Sequence, residues 1–125
     1  MTVLLDTNAL MMPVECNVRV FEELERLLDG FECAVPQSVR TELEDLSDGS
    51  SEEATAASVG RDLAERCTVL TAEADYADDA VLELAQRDSI DYAVTNDKPL
   101  RERLLDAGVP VISLRGKHKL AINTP

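Results

Sequence analysis

The sequence predicts an α/β fold built on a parallel sheet with helices over both faces. Three observations predict it. Short apolar runs recur along the chain, amphipathic helical patterns separate them, and turn-forming Gly, Pro and polar clusters mark several of the boundaries. The chain has 125 residues, of which 45% are hydrophobic. That length suits one domain spanning 1–125 with a real core.

Each element follows from its local pattern. Residues 2–5 are apolar, partly β-branched and stop at Asp6, which is the mark of a short buried strand. From Asn17 a helical pattern begins, with Val20, Phe21, Leu24, Leu27 and Leu28 on one face and Gly30 at its end. Residues 31–35 read as a second strand. Pro36 suits a first helical turn, after which Val39, Leu43 and Leu46 recur on one face. Residues 47–53 form a polar loop, 54–67 an alanine-rich helix and 68–71 a strand. Residues 80–87 are helical with Val81, Leu84 and Ala85 inward, 92–95 a strand, and 99–107 a short helix closed by Gly108. Residues 109–114 make the last strand, and 115–125 a basic C-terminal tail.

Composition narrows the chemistry. The formal net charge is −13, with acidic residues spread along the whole chain. Such a surface suits very high salt, where self-repulsion is screened, and points to a halophile cytoplasm. Trp is absent and only two Tyr and two Phe are present, which excludes an aromatic platform as the main means of holding bases. No apolar run is long enough to span a bilayer, and the first residues lack the basic region of a signal peptide, so the expected location is cytoplasmic with no membrane partner. Cys16, Cys33 and Cys67 match neither a zinc spacing nor a redox pair and read as small reduced core residues.

In open parallel sheets, ligands collect beyond the carboxyl ends of the strands. Asp6 directly follows the first strand, and Asp97 follows the strand over 92–95. Glu42 lies one turn into the helix after the second strand, on a face close to that of Val39 and Leu46. Asp78 and Asp79 open the helix bearing Val81. Singly, each has an ordinary reading as a helix cap, a dipole partner or a solvated charge. Together they place carboxylates from four segments at one sheet edge. Carboxylates crowded in a cleft repel until protons or cations neutralise them. Mg²⁺ or Mn²⁺ is the usual answer, and such an ion suits phosphodiester hydrolysis by polarising the phosphoryl oxygen and supplying hydroxide at neutral pH.

Competing chemistries lack their parts. There is no GxSxG elbow, and Gly108 and Gly116-Lys117 lack phosphate-loop spacing. The single histidine, His118, sits in the basic tail, which argues against a Cys-His or Ser-His couple. A phospho-accepting Asp6 stays open, although Asp6-Thr7-Asn8 lacks the second aspartate of haloacid-dehalogenase-type phosphatases.

Four segments carry a family resemblance: Leu-Leu-Asp-Thr-Asn-Ala-Leu at 4–10, Val-Pro-Gln-Ser-Val-Arg-Thr-Glu-Leu-Glu at 35–44, Ala-Asp-Asp-Ala-Val-Leu-Glu-Leu-Ala at 77–85, and Val-Thr-Asn-Asp-Lys-Pro-Leu at 94–100. In this order they resemble the signature segments of the PIN domain. The resemblance implies a three-layer α/β/α sandwich with a mainly parallel central sheet. It also implies a Mg²⁺- or Mn²⁺-dependent endoribonuclease. By position, Asp6, Glu42, Asp78 and Asp97 are the catalytic, metal-holding acids, Asp79 is an alternative or extra third acid, and Asn8 and Thr95 are supporting polar residues. Tyr76 before the doubled aspartate looks most like the branch associated with ribosomal RNA processing, and the toxin branch of toxin–antitoxin pairs is the other candidate. The implied partners are RNA, an antitoxin or a pre-ribosomal particle, and a second copy of the chain. Arg115, Lys117 and Lys119, with His118, form the one dense basic cluster and are the candidate RNA-binding arm. A non-catalytic RNA-binding or ribosome-assembly module of the same fold is the alternative, and acids at all four places argue against it.

Overall fold

A computed structural model describes residues Met1–Pro125. Its elements run β1 (Thr2–Leu5), α1 (Thr7–Glu15), α2 (Val20–Leu28), β2 (Glu32–Pro36), α3 (Gln37–Leu46), α4 (Glu52–Ala64), β3 (Thr68–Leu70), α5 (Ala77–Ala85), β4 (Tyr92–Val94), α6 (Lys98–Asp106), β5 (Val111–Arg115) and β6 (Lys119–Asn123). One six-stranded sheet has the order β3-β2-β1-β4-β5-β6. The first five strands pair in parallel, and β6 pairs antiparallel to β5. The α/β sandwich expected from the alternating pattern is therefore present.

Topology fixes where the site lies. From β1 the chain winds outward through β2 to β3, then returns to lay β4 on the other side of β1 and winds outward through β5. Helices α1 to α4 pack together, and α5 packs with α6. Right-handed crossovers put these two groups on opposite faces. The winding reverses between β1 and β4, which makes their carboxyl ends the natural crevice of such a sheet. Beneath it, 29 buried apolar residues form one cluster, including Leu4, Leu5, Leu24, Leu43, Leu84, Val94 and Ile112.

Four features depart from the pattern reading. Helix α1 has no amphipathic signature because Ala9, Leu10, Met11 and Met12 are all buried. A helix covered on every side shows no 3.6-residue stripe. Its contact with α4 is so close that a Cβ on Gly60 would stand 2.8 Å from the Leu10 carbonyl oxygen, so only glycine fits there. Second, the basic segment after residue 115 is half of a hairpin and not a free tail. Gly116 turns it with φ +73°, and Lys119–Asn123 returns along β5. Helix α2 then caps this edge strand: Glu23 accepts from the Leu120 N–H at 2.9 Å, and Arg26 donates to the Leu120 carbonyl at 2.9 Å. The Arg26 guanidinium bonded to Glu23 holds that carboxyl down at about 2.

Third, Cys33 and Cys67 are joined as a disulfide and only Cys16 is a free thiol. Parallel pairing of Ala34 with Thr68 sets the two cysteines side by side, 4.8 Å apart between Cα atoms. Their separation along the chain hides that neighbourhood. Fourth, Pro36 ends β2 and serves as the N-cap of α3, one residue before the helix proper. No helix is long and apolar enough to cross a membrane.

Candidate active site

Asp6 stands one residue beyond β1 and Asp97 three residues beyond β4, and each caps the helix that follows. Asp6 Oδ1 accepts from the Ala9 N–H at 2.7 Å at the start of α1. Asp97 Oδ1 accepts from the Leu100 N–H at 3.0 Å at the start of α6. Both aspartates therefore cap helices, and a carboxylate that caps with one oxygen keeps further lone pairs for a second partner. Thr95, fully buried, ties the two acids together: its hydroxyl donates to Asp6 Oδ2 and accepts from the Asp97 N–H. Asn8 makes a second tie, its Oδ1 accepting from the Asn96 N–H at 3.0 Å. Thr95 and Asn8 thus make hydrogen bonds that tie the β1 and β4 ends together.

The four expected acids meet. Asp6, Glu42, Asp78 and Asp97 line one cleft of about 210 Å³ at the sheet's reversal point. Asp6 forms its floor at 4% exposure. Asp78 enters from the first turn of α5, and Glu42 stands on the wall from α3, exposed to solvent and not turned into the core. Asp79 lies outside the cleft and pairs with Arg103 at 2.9 Å. Successive helix residues project about 100° apart, and this rotation turns Asp78 to the cleft and Asp79 to Arg103. Asp78 is therefore the acid of that pair which faces the cleft.

Three further polar residues line it without having been singled out in the sequence. Glu15 comes from the end of α1 and Glu53 from the first turn of α4. Both come from helix surfaces where an acidic chain offers many similar residues, so no local signal marks them. Thr7 was legible in principle, as the hydroxyl next to Asp6. Its Oγ1 is buried and without a hydrogen-bond partner.

The electrostatics follow from this crowding. Burial pushes the Asp6 carboxyl up to about 7, against the opposing effect of the Thr95 and Ala9 hydrogen bonds, and the Asp78 and Asp97 charges push it further. Asp78 is raised as well, first by partial burial, then by Asp97, with Arg103 acting in the other direction. No Lys or Arg lines the cleft. No three acids converge closely enough to chelate an ion by themselves. An all-oxygen donor set with excess negative charge and an unpaired buried hydroxyl suits a hard divalent cation that retains several waters, as Mg²⁺ does.

The arm residues Arg115, Lys117 and Lys119 are exposed at the end of β5, in the turn and at the start of β6. Because β5 runs parallel to β4, that end lies on the same sheet edge as Asp6 and Asp97.

Comparisons with known proteins agree with the fold. The sequence profile of the PIN like domain matches residues 3–117. Ribonuclease VapC4 of Methanocaldococcus jannaschii is 30% identical over 116 residues, covering 90% of this chain and 88% of that protein. The solved structure of the PIN domain endonuclease Utp24 is similar with a TM-score of 0.79 and 26% identity, over 99% of this chain and 92% of that one. VapBC2 from Rickettsia felis, solved bound to a DNA fragment from their promoter, is similar in fold with a TM-score of 0.64 and 15% identity, over 90% of this chain and 98% of that one.

Proposed function

The chain belongs to the PIN-domain family, and on that premise we propose that it is a metal-dependent endoribonuclease hydrolysing RNA phosphodiester bonds. One observation carries the reading: Asp6, Glu42, Asp78 and Asp97, from four separate segments, line a single cleft at the reversal point of the sheet. Support for RNA as the substrate comes from the relative named a ribonuclease, and for an endonucleolytic cut from the structural relative named an endonuclease. The family resemblance adds an antitoxin or a pre-ribosomal particle as protein partner, and the proposal rests on neither.

Asp6, Asp78 and Asp97 would hold Mg²⁺ or Mn²⁺, directly or through water. When bound, the ion supplies positive charge to the phosphoryl oxygens and acidifies water. The chain's own residues do the rest. Thr95 and Asn8 keep the Asp6 and Asp97 segments at fixed spacing, so little reorganisation is needed when substrate arrives. Glu42, exposed on the solvent side of the wall, accepts a proton or orients a water at the cleft mouth. The direct test is cleavage of a panel of defined RNAs with Mn²⁺, Mg²⁺ or EDTA at several salt concentrations. Cutting is expected with either ion and none with EDTA; EDTA-insensitive cutting rules out the metal, and an uncut panel rules out the activity.

Substrate must also reach an acidic cleft on a chain of net charge −13. We assign that task to Arg115, Lys117 and Lys119, with phosphate contacts that guide register without reading sequence. In the Lys117→Glu/Lys119→Glu chain, RNA binding should weaken and the slope of log K against log salt should flatten by about 1–2, as expected for losing two contacts. An unaltered slope would reject the arm.

A further inference from the structure

A second cleft, of about 470 Å³, lies between α3 and the loop from β3 to α5. It shares Glu42 with the acidic site. Tyr76 stands on its rim, 78% exposed. Stability does not account for this tyrosine. It occupies the N-cap position of α5 yet makes no capping bond, where Ser, Thr, Asp or Asn would satisfy the helix. Nor does it bury its ring. The other aromatic rings are engaged elsewhere: Phe21 and Phe31 stack on each other and Tyr92 lies in β4 against the core. A residue that breaks a local rule without a packing return marks a functional position.

The surroundings specify the ligand. The loop bearing Tyr76 is pinned by Glu83, which accepts from the Glu73 N–H at 2.9 Å and the Ala74 N–H at 3.2 Å, so the ring is presented from a braced segment. The cleft contains no Lys or Arg, and Asp45, Asp75 and Glu42 repel phosphate. It offers instead the Gln37 amide and carboxylate acceptors, and behind them the Ser38 hydroxyl is buried without a hydrogen-bond partner. A flat neutral group with N–H donors on its edge matches that lining. Its volume falls in the roughly 300–1,000 Å³ range of small-ligand sites. Asp78, two residues from Tyr76, faces the acidic cleft next door.

We propose that this cleft is a nucleobase subsite. An unpaired base of the RNA, flanking the scissile phosphate, stacks on Tyr76 and turns its N–H edge toward Asp45 and Asp75. The inference rests on the ribonuclease reading above and requires the stacked base to be unpaired, because a paired base cannot be splayed into the cleft. Composition excludes a platform of many aromatics, and a single exposed ring is enough for one base.

The test uses 2-aminopurine, whose fluorescence is quenched by stacking, placed at successive positions of a single-stranded oligoribonucleotide. Asp97→Asn protein is used so that cutting does not intervene. Quenching is expected at one position, lost when Tyr76→Ala is added and kept with Tyr76→Phe. In cleavage by otherwise native protein, Tyr76→Ala should lower kcat/KM about 5- to 150-fold, the range for one stacked base. Tyr76→Phe should stay near the native value. An abasic nucleotide at the quenched position should cause the same loss, with no further loss on combining the two. Native kcat/KM in Tyr76→Ala, or quenching indifferent to it, overturns the subsite and leaves the ribonuclease reading standing. If the native chain cuts no RNA, that reading fails and the fluorescence still decides the subsite.

Discussion

Asp97→Asn and Asp6→Asn should each reduce Mn²⁺-dependent RNA cleavage by about a thousandfold while the fold persists. A divalent ion contributes several kcal/mol to a developing phosphoryl charge, and about 4 kcal/mol corresponds to that factor. Both substitutions keep the cap, since asparagine serves an N-cap as well as aspartate. The loss therefore reads charge and ligation rather than unfolding, and circular dichroism of both variants should match the native chain. Thr95→Val is the informative control. It keeps every carboxylate and removes the hydroxyl that bonds Asp6 and receives the Asp97 N–H. A positioning role predicts a loss of about 10- to 100-fold, smaller than for either acid. Asp79→Asn should cut at the native rate, because Asp79 is paired with Arg103 outside the cleft. Native turnover in both Asp6→Asn and Asp97→Asn would eliminate the mechanism.

The elements that place these acids were the legible ones, for a physical reason. A parallel strand covered on both faces must be apolar throughout, so β1 and β4 show as short unbroken runs, and the first polar residue after each run is where the sheet ends. Asp6 is that residue after β1, and Asp97 stands two residues past Thr95, the first polar residue after β4, so both could be located from the strand ends. Asp78 could not be separated from Asp79, since the choice depends on the rotation of α5 about its axis, which the long-range packing of Val81 and Leu84 sets. Strand β6 was hidden for another reason. Lys117 in the turn before it and Lys119 at its start resemble a solvated end, and what makes it a strand is non-local: pairing with β5 and bonding of Leu120 by Glu23 and Arg26 on α2. The Cys33–Cys67 bond and the burial of α1 on all sides belong to the same class, contacts between segments remote along the chain.

Asp6, buried, should destabilise the chain as the pH rises, and the sign follows from its shifted titration. Its carboxyl stands at about 7 in the folded chain against 3.8 for the ordinary group. The folded state thus holds this proton more tightly than the unfolded state. The stability it confers is whole below the ordinary carboxylate range and is lost as the pH rises through about 7. Asp78, also raised, acts with the same sign. Urea midpoints of the native chain should therefore fall between pH 5 and 8, whereas Asp6→Asn should fall less and exceed the native chain at pH 8. A displacement of this size corresponds to at most about 4 kcal/mol. Mn²⁺ should reverse the effect, because an ion that binds the ionised cleft stabilises the folded state by ~2.7 kcal/mol at a hundred times its Kd. At pH 8, Mn²⁺ should raise the native midpoint well above that shift in Asp6→Asn. A native midpoint indifferent to both pH and Mn²⁺ would mean that Asp6 ionises without strain and that the cleft has no need of an ion, which removes the physical basis for metal binding independently of any cleavage assay.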